Sequence, residues 1–383
     1  LKAHRRGIIC GSMFALWLLA LLHLYIGWRI APGLPGPIAP WVFAAVLLAS
    51  AILIPLAWFG RRSRSRARAD RLSWAGMLAL GLSSTLLVLT LLRDVVLLFA
   101  WPFGLLDLPQ WTQWSAVAAV AGAALFMAVG LFNARRTARV RNVEVPVADL
   151  PAALQGFTIV QISDIHVGPT IKRRYLQAIV DAVNHLQADA VAVTGDLVDG
   201  RVQDLAPDVA PLAQLRSRHG TFFVTGNHEY YSGADEWVAE LRRLGVQVLM
   251  NEHVVLRHDG ARLVLAGVAD TTAHHFNPRH RSDPQRAIDG APADAGMRVL
   301  LAHQPRSADA AAQAGFDVQL SGHTHGGQYW PWNLFVRLQQ PYTAGLHRLK
   351  QLWVYTSRGT GYWGPPLRFG APSEITRLRF VAA

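Results

Sequence analysis

The residues best suited to chemistry in this 383-residue chain fall in five short strings. They are Asp164-x-His166, Gly195-Asp196-x-x-Asp199, Gly226-Asn227-His228-Glu229, a lone His303, and Gly322-His323-Thr324-His325-Gly326-Gly327-Gln328. Carboxylate oxygen, amide oxygen and neutral imidazole together suit divalent ions such as Mn²⁺, Fe²⁺ or Zn²⁺, and the absence of thiolates among them argues against a structural zinc site. Asp164, His166, Asp196, Asn227, His303, His323 and His325 are too many ligands for one four-coordinate ion. With one carboxylate bridging, they divide into two sites ~3.5–4 Å apart, the arrangement that clamps the attacking and leaving oxygens of a phosphoryl displacement. A decayed site would lack a ligand position, and none is lacking.

The elements that must position these groups follow a strand, loop, helix rhythm from Phe157 onward. Phe157–Ser163, Ala190–Thr194 and Thr221–Thr225 read as strands, Lys172–Gln187 and Ala234–Leu244 as helices, and Pro207–Ser217 as a helix opened by its proline. Further strands are expected at Val246–Met250, Val254–Arg257, Arg262–Ala266, Val299–Ala302, Val318–Ser321, Leu352–Thr356 and Ile375–Val381. Alternation giving way to strands predicts a layered α/β sandwich with helices outside. Every polar string follows a strand, and open α/β sheets gather ligands at the carboxyl ends of their strands. The glycines before Asp196, Asn227 and His323 are expected to let the backbone turn sharply there. His185, His219, His253 and His258 read as ordinary surface or core histidines, whereas His274, His275 and His280 lie in a polar loop within possible reach of a substrate.

In their order, the strings from 164 to 325 resemble the calcineurin-like metallophosphoesterase superfamily. The extended Gly-His-Thr-His-Gly-Gly-Gln, the tail Tyr355-Thr-Ser-Arg-Gly-Thr-Gly, Leu367-Arg-Phe-Gly and Glu374-Ile375 resemble a bacterial membrane-associated phosphodiesterase branch, over about residues 156–380. The resemblance implies a four-layer α/β/β/α sandwich and two divalent metal ions, Mn²⁺ foremost with Fe²⁺, Zn²⁺ or Mg²⁺ as alternatives. It assigns Asp164, His166 and His325 to one metal and Asn227, His303 and His323 to the other, with Asp196 bridging. His228 then resembles the general acid, Asp199 the carboxylate that orients it, and a metal-bridging hydroxide the nucleophile. Relatives that dephosphorylate proteins carry Arg directly after the second Asp of Gly-Asp-x-x-Asp. Here Gly200 stands in that place and Arg201 follows, which favours a phosphodiesterase or pyrophosphatase over a protein phosphatase.

Charge and hydropathy divide the chain in two, 1–145 and 146–383. Residues 1–145 hold 15 Lys/Arg against 4 Asp/Glu, leaving 22 against 21 for the remainder. A nearly neutral catalytic half argues against a groove for a nucleic acid polymer. The first half instead reads as a membrane domain, with apolar runs at about 8–28, 38–59, 74–92 and 114–132, each close to the ~20 residues that cross a bilayer. Trp28, Trp41, Trp58, Trp74, Trp101, Trp111 and Trp114 mark their ends as an aromatic belt would. Thirteen basic residues (Lys2, Arg5, Arg6; Arg61, Arg62, Arg64, Arg66, Arg68, Arg71; Arg135, Arg136, Arg139, Arg141) fall on one side, against Arg29 and Arg93 on the other. A multi-pass protein of the cell inner membrane with both termini and its catalytic half in the cytoplasm is expected. Cys10 is the only cysteine, so no intrachain disulfide forms.

Two features stay open at this level. Arg93-Asp94 interrupts the third run, either ending its helix or lying deep in the bilayer. Tyr329–Val336, with Trp330 and Trp332 as candidate substrate contacts, either packs in the core or leans on a lipid surface. The function these readings support is a membrane-anchored metal-dependent phosphoesterase, with the lipid bilayer as partner and a phosphorylated small-molecule or lipid-linked substrate, UDP-diacylglucosamine being cleaved by one relative in the superfamily. The other class compatible with the sequence is a membrane sensor or scaffold that binds a phosphorylated ligand without turnover.

Overall fold

A computed structural model describes residues 2–60, 65–104 and 108–383. Arg61, Arg62 and Arg64 lie outside the described residues, as do the side chains of Lys2, Arg5, Arg6 and Cys10. The chain divides into two units, one of residues 1–132 with Gly364–Leu367 and one of Asn133–Trp363 with Arg368–Ala383.

In the first unit four helices, α1 (Lys2–Ile30), α2 (Ala39–Gly60), α3 (Arg66–Ala100) and α4 (Leu108–Arg135), are each long and apolar enough to cross a membrane. Among the described residues their large apolar side chains are exposed more often than buried. Trp28, Trp41, Trp58, Trp101, Trp111 and Trp114 are all exposed, as expected where the surrounding solvent is lipid. Close helix approach depends on small residues: a side chain at Gly76 would collide with Ala57 and the Leu53 carbonyl of α2.

Arg93-Asp94 does not end the third helix; α3 continues to Ala100, past the expected end at 92. The pair is tolerated because partners surround it. Arg29 Nε and Nη2 donate to the two Asp94 oxygens at 2.7 and 2.8 Å, and Tyr25 Oη donates at 2.6 Å. Buried Arg93 donates to Ser115 Oγ at 2.9 Å and contacts Asp94 at 3.3 Å. The Asp94 carboxylate thus ties α1 to α3, and Arg93 ties α3 to α4.

In the second unit β1 (Arg139–Val147), β2 (Thr158–Ile162), α5 (Arg173–His185), β3 (Ala190–Val193), α6 (Val202–Val209), β4 (Thr221–Phe223), α7 (Asn227–Ser232), α8 (Ala234–Arg243) and β5 (Gln247–Val248) come first. There follow β6 (Glu252–His258), β7 (Ala261–Gly267), α9 (Pro284–Ile288), β8 (Met297–Leu301), α10 (Ala308–Gln313), β9 (Val318–Ser321), β10 (Gly345–Leu349), β11 (Leu352–Thr356) and β12 (Glu374–Ala382). They form two six-stranded mixed sheets, ordered β1-β12-β2-β3-β4-β5 and β10-β11-β9-β8-β7-β6. One core of Phe157, Ile159, Phe222, Leu265, Val299, Leu320 and Tyr355 lies between the sheets. A second packs α5, α6 and α8 on the first sheet and a third packs α10 on the other, which makes the α/β/β/α sandwich.

Three local differences from the sequence reading have physical causes. Pro207 does not open its helix: α6 starts at Val202 after the extended Arg201, and Pro207 falls inside its final turn before a 3₁₀ turn at Ala210–Gln214. A short helix survives one missing N–H near its end. Strand β1 pairs in parallel with β12 over Arg139–Val147, so the expected boundary at 145/146 falls inside a strand and the second unit starts at Asn133. Its alternating Arg-Val-Arg-Asn-Val-Glu-Val pattern is a half-buried strand, although its arginines also count as basic flank. Strand β10, too polar to stand out alone, is completed by antiparallel pairing with β11.

Replacing Asp94 by Asn removes the charge partner of Arg29 and Arg93. The variant is expected to lose ~1–3 kcal/mol of stability, read as a lowered unfolding midpoint of the purified protein in detergent. An unchanged midpoint would show that the charge network does not hold α1, α3 and α4 together.

Candidate metal centre

The ends of β2, β3 and β4 in one sheet and of β8 and β9 in the other deliver the polar strings to one place. Asp164, His166 and His325 form one group whose ligand atoms lie within 4.8 Å of one another, and Asp196, His303 and His323 form a second. Asp196 Oδ2 faces both, 3.1 Å from His303 Nε2 and 3.9 Å from His166 Nε2. Within the groups His166 Nε2 approaches His325 Nε2 to 3.1 Å, and His323 Nδ1 approaches His303 Nε2 to 3.2 Å.

Local backbone conformation makes this convergence possible at a cost. Asp164, His166, Asp196, His323 and His325 all have φ between 50° and 69°, a left-handed region that costs a non-glycine residue ~1–3 kcal/mol. The glycines serve two ends. Gly195, at φ 85°, turns the chain as expected. Gly226 and Gly322 have ordinary φ and are glycine because a side chain there would strike the carboxylates of Asp196 and Asp164.

Buried groups without strand partners lock these turns. The Glu229 carboxylate accepts from the backbone N–H of Gly226, Asp196, Leu197 and Val198 at 2.6–3.3 Å, tying the turn after β4 to the turn after β3. Burial and the Asp196 charge push Glu229 up to about 7, while its donors, that of Gly226 first, pull it down; four N–H groups are satisfied together only by the carboxylate. Arg368, wholly buried, donates to the carbonyls of Gly361, His325, Arg358 and Ala371 and sets a terminal nitrogen 3.1 Å from His325 Nδ1. Burial lowers its pKa only to about 10, so it stays charged. Thr360 and Gly361 donate backbone N–H to the carbonyls of Ser163 and Asp164 at 2.7 and 3.1 Å. Sequence reading quoted these four residues within motifs and gave them no role. Glutamate directly after the Asn227-His228 pair and arginine in an apolar tail are the signals, and only their bonding partners give them meaning.

The donor set fits a pair of divalent cations. Asn227 Oδ1 is buried without a hydrogen-bond partner among the described residues, which an oxygen avoids unless something else binds it. Burial pushes His323 down to about 3, and burial with the neighbouring His166 and Arg368 holds His325 well below the ordinary imidazole range, so both present neutral lone pairs. Two imidazole nitrogens 3.1 Å apart can both reach one ion at ~2.1 Å. His303 Nδ1 meets the Thr194 carbonyl at 2.7 Å and His166 Nδ1 meets Asp199 Oδ1 at 3.0 Å, which turns the opposite nitrogen of each ring toward the cluster.

His228 and Asp199 stand beside the ligands as a dyad, Nδ1 to Oδ1 at 2.6 Å. Burial raises Asp199, but His166 and His228 outweigh it and hold the carboxyl well below its usual range. Burial opposes charge on His228, yet the Asp199 hydrogen bond and the Asp196 charge push it up to about 9. Its Nε2 has no partner among the described residues. The same Asp199 oxygen therefore fixes both a ligand ring and the His228 ring.

Other residues singled out in the sequence fare differently. Arg201 is exposed before α6, and no hydrogen bond or ion pair joins it to the cluster among the described residues. Trp330 and Trp332 are half-exposed, and with Leu334, Phe335 and Leu338 they exclude core packing for their run. His185 and His253 bond backbone carbonyls, and His219 pairs with His258 at 3.1 Å. His280 meets the Tyr230 hydroxyl at 3.2 Å, and His274 stacks on His275.

Residues 157–327 match the family model described as calcineurin-like phosphoesterase. A bovine (Bos taurus) "transmembrane protein with metallophosphoesterase domain" is 42% identical over 78% of this chain and 70% of its own length. An "uncharacterized metallophosphoesterase" of Helicobacter pylori strain J99 is 41% identical over 58% of this chain and 59% of its own. A solved 5′-nucleotidase precursor from Thermus thermophilus aligns at a TM-score of 0.39 and 16% identity, covering 59% of this chain and 54% of that one.

Glu229→Gln is expected to disturb both turns it joins, because an amide places a donor against backbone N–H groups. Mn²⁺ affinity should fall at least about tenfold, measured by calorimetry, with circular dichroism unchanged. Retained affinity would show that the turns hold without the carboxylate.

Proposed function

The chain belongs to the calcineurin-like phosphoesterase family, and we propose that it is a membrane-anchored, dinuclear metal-dependent phosphodiesterase of that family's bacterial membrane-associated branch. The observation that carries this reading is the pair of three-residue ligand groups with Asp196 Oδ2 facing both. Asp164, His166 and His325 would hold one ion, Asn227, His303 and His323 the other, and Asp196 would bridge. Mn²⁺ suits this oxygen and imidazole set, with Fe²⁺, Zn²⁺ or Mg²⁺ as alternatives. Bound there, the ions would supply a nucleophile from water at neutral pH and neutralise charge building on the phosphoryl oxygens.

The remaining work belongs to the chain's own side chains. Asp199 holds His228 by Nδ1, which leaves Nε2 to deliver a proton to the departing oxygen of a phosphodiester or pyrophosphate. Gly200 in place of a phosphate-gripping arginine supports diester over phosphoprotein cleavage. A lipid-linked or nucleotide-linked substrate is supported by the four apolar helices and by the exposed Trp330, Trp332, Leu334, Phe335 and Leu338, whose apolar surface suits an acyl chain or a lipid interface. The distribution of basic residues supports a cytoplasmic catalytic unit.

With Mn²⁺ present, the protein is expected to hydrolyse bis(p-nitrophenyl) phosphate, and a chelator should abolish turnover. Asp196→Asn should remove activity together with metal binding, whereas His228→Asn should keep both ions and lose about 10²–10⁴ in kcat on substrates with poor leaving groups. Metal-bound protein without turnover on any diester would establish a sensor or scaffold instead. For orientation, a reporter active only in the periplasm, fused after Ala383, should be silent; an active fusion would reverse the topology.

A further inference from the structure

Exposed large apolar side chains in the second unit are confined, apart from Val140, to Tyr231, Phe276, the 330–338 run, Trp363 and Phe369. Three of these continue the general-acid ring as an unbroken aromatic row. Tyr231, in the last turn of α7, meets the His228 ring edge-on at 5.3 Å, and Phe276 meets Tyr231 at 5.7 Å from the loop after β7. From the opposite direction in sequence, Trp363 meets His228 at 5.9 Å and 77°. Tyr231, Phe276 and Trp363 are 63%, 52% and 54% exposed, so about half of each side chain's surface is left open.

Trp363 is also held in place by a dedicated device. The buried Gln328 side chain, three residues after the ligand His325, accepts from the Trp363 backbone N–H and donates to its carbonyl, both at 2.8 Å. Gln328 does so from a left-handed backbone at φ 57°. A strained residue and a buried amide are thus spent on fixing the backbone of a half-exposed tryptophan beside His228.

We propose that Tyr231, Phe276 and Trp363 form the leaving-group subsite, and that the group they receive is flat and aromatic: the base of a nucleotide or another aromatic ring. This rests on the reading of His228 as the acid, because the group bonded to the oxygen that His228 protonates must lie against the rings flanking it. Exposed aromatic rings, here set edge-on to one another, hold a planar group at little entropic cost and are indifferent to its hydrogen-bonding edge. Gln328 is a positioning residue in this arrangement, acting through Trp363.

Calorimetric titration of the Mn²⁺-loaded full chain with methyl-, cyclohexyl- and phenylphosphonate and with uridine 5′-monophosphate tests the subsite without turnover. Phenylphosphonate should bind about tenfold tighter than methylphosphonate, and Tyr231→Ala or Trp363→Ala should reduce that ratio to about twofold, with Trp363→Phe restoring most of it. Gln328→Ala should lower the ratio while Gln328→Glu, which keeps only the acceptor, should do so partially. Unchanged melting midpoints establish that each variant is folded. A uridine monophosphate affinity that falls with the same variants identifies a nucleotide base as the group, and one that does not identifies a simple aromatic ring. Equal binding of methyl and phenyl compounds, a cyclohexyl compound as tight as phenyl, or a ratio unmoved by the alanine variants would overturn the subsite. Absence of diester hydrolysis alongside an intact phenyl preference would count against the phosphodiesterase reading and leave the aromatic site standing.

Discussion

The structure depends on holding strand-end turns in a backbone conformation that they would not choose. Five of the seven candidate ligand residues lie at positive φ, where non-glycine side chains crowd the backbone. Nothing local to Asp164 or His323 favours that state. It persists because neighbouring turns bond to one another: the Asp164 N–H donates to the Gly195 carbonyl, that of His166 to Asp196, and that of His323 to the Asp164 carboxylate. Each turn is thus bonded to the next.

Two buried charges complete that scaffold from outside the ligand set. Glu229 supplies acceptors where the turns present unpaired N–H groups, and Arg368 supplies donors where they present unpaired carbonyls. A fully buried ion is costly in isolation, so each is stable only with its backbone partners in place. The same logic operates in the helical unit, where Asp94 sits between Arg29 and Arg93 and the long third helix passes through the charged pair unbroken. In both units a buried or half-buried ion, unfavourable by itself, ties together segments far apart in sequence.

Imidazole geometry links scaffold to chemistry. Asp199 Oδ1 holds one nitrogen of His166 and one of His228, fixing a candidate ligand ring and the neighbouring His228 ring from a single atom. Gln328 extends the coupling beyond the ligands, joining the His325 turn to Trp363 through two backbone bonds. The candidate ligands, His228 and Trp363 are therefore joined in one bonded network.

Much was legible in the sequence. Strand periodicity, the polar strings at strand ends and four apolar runs were readable because burial imposes them residue by residue. The seven candidate ligands stand in motifs whose residue types already state their chemistry. Strands β1 and β10 were missed because their polar patterns acquire meaning only when β12 and β11 lie alongside. The continuity of α3 through Arg93-Asp94 required knowing that Arg29, 65 positions before Asp94, reaches its carboxylate. Arg201 stood in the right motif and is exposed away from the cluster, while Glu229, Gln328 and Arg368 stood in motifs and gained roles from backbone groups far off in sequence. Residue type and spacing, which are local, determined what the chain could bind. Which backbone groups each buried charge satisfies is non-local, and only the tertiary structure decided it.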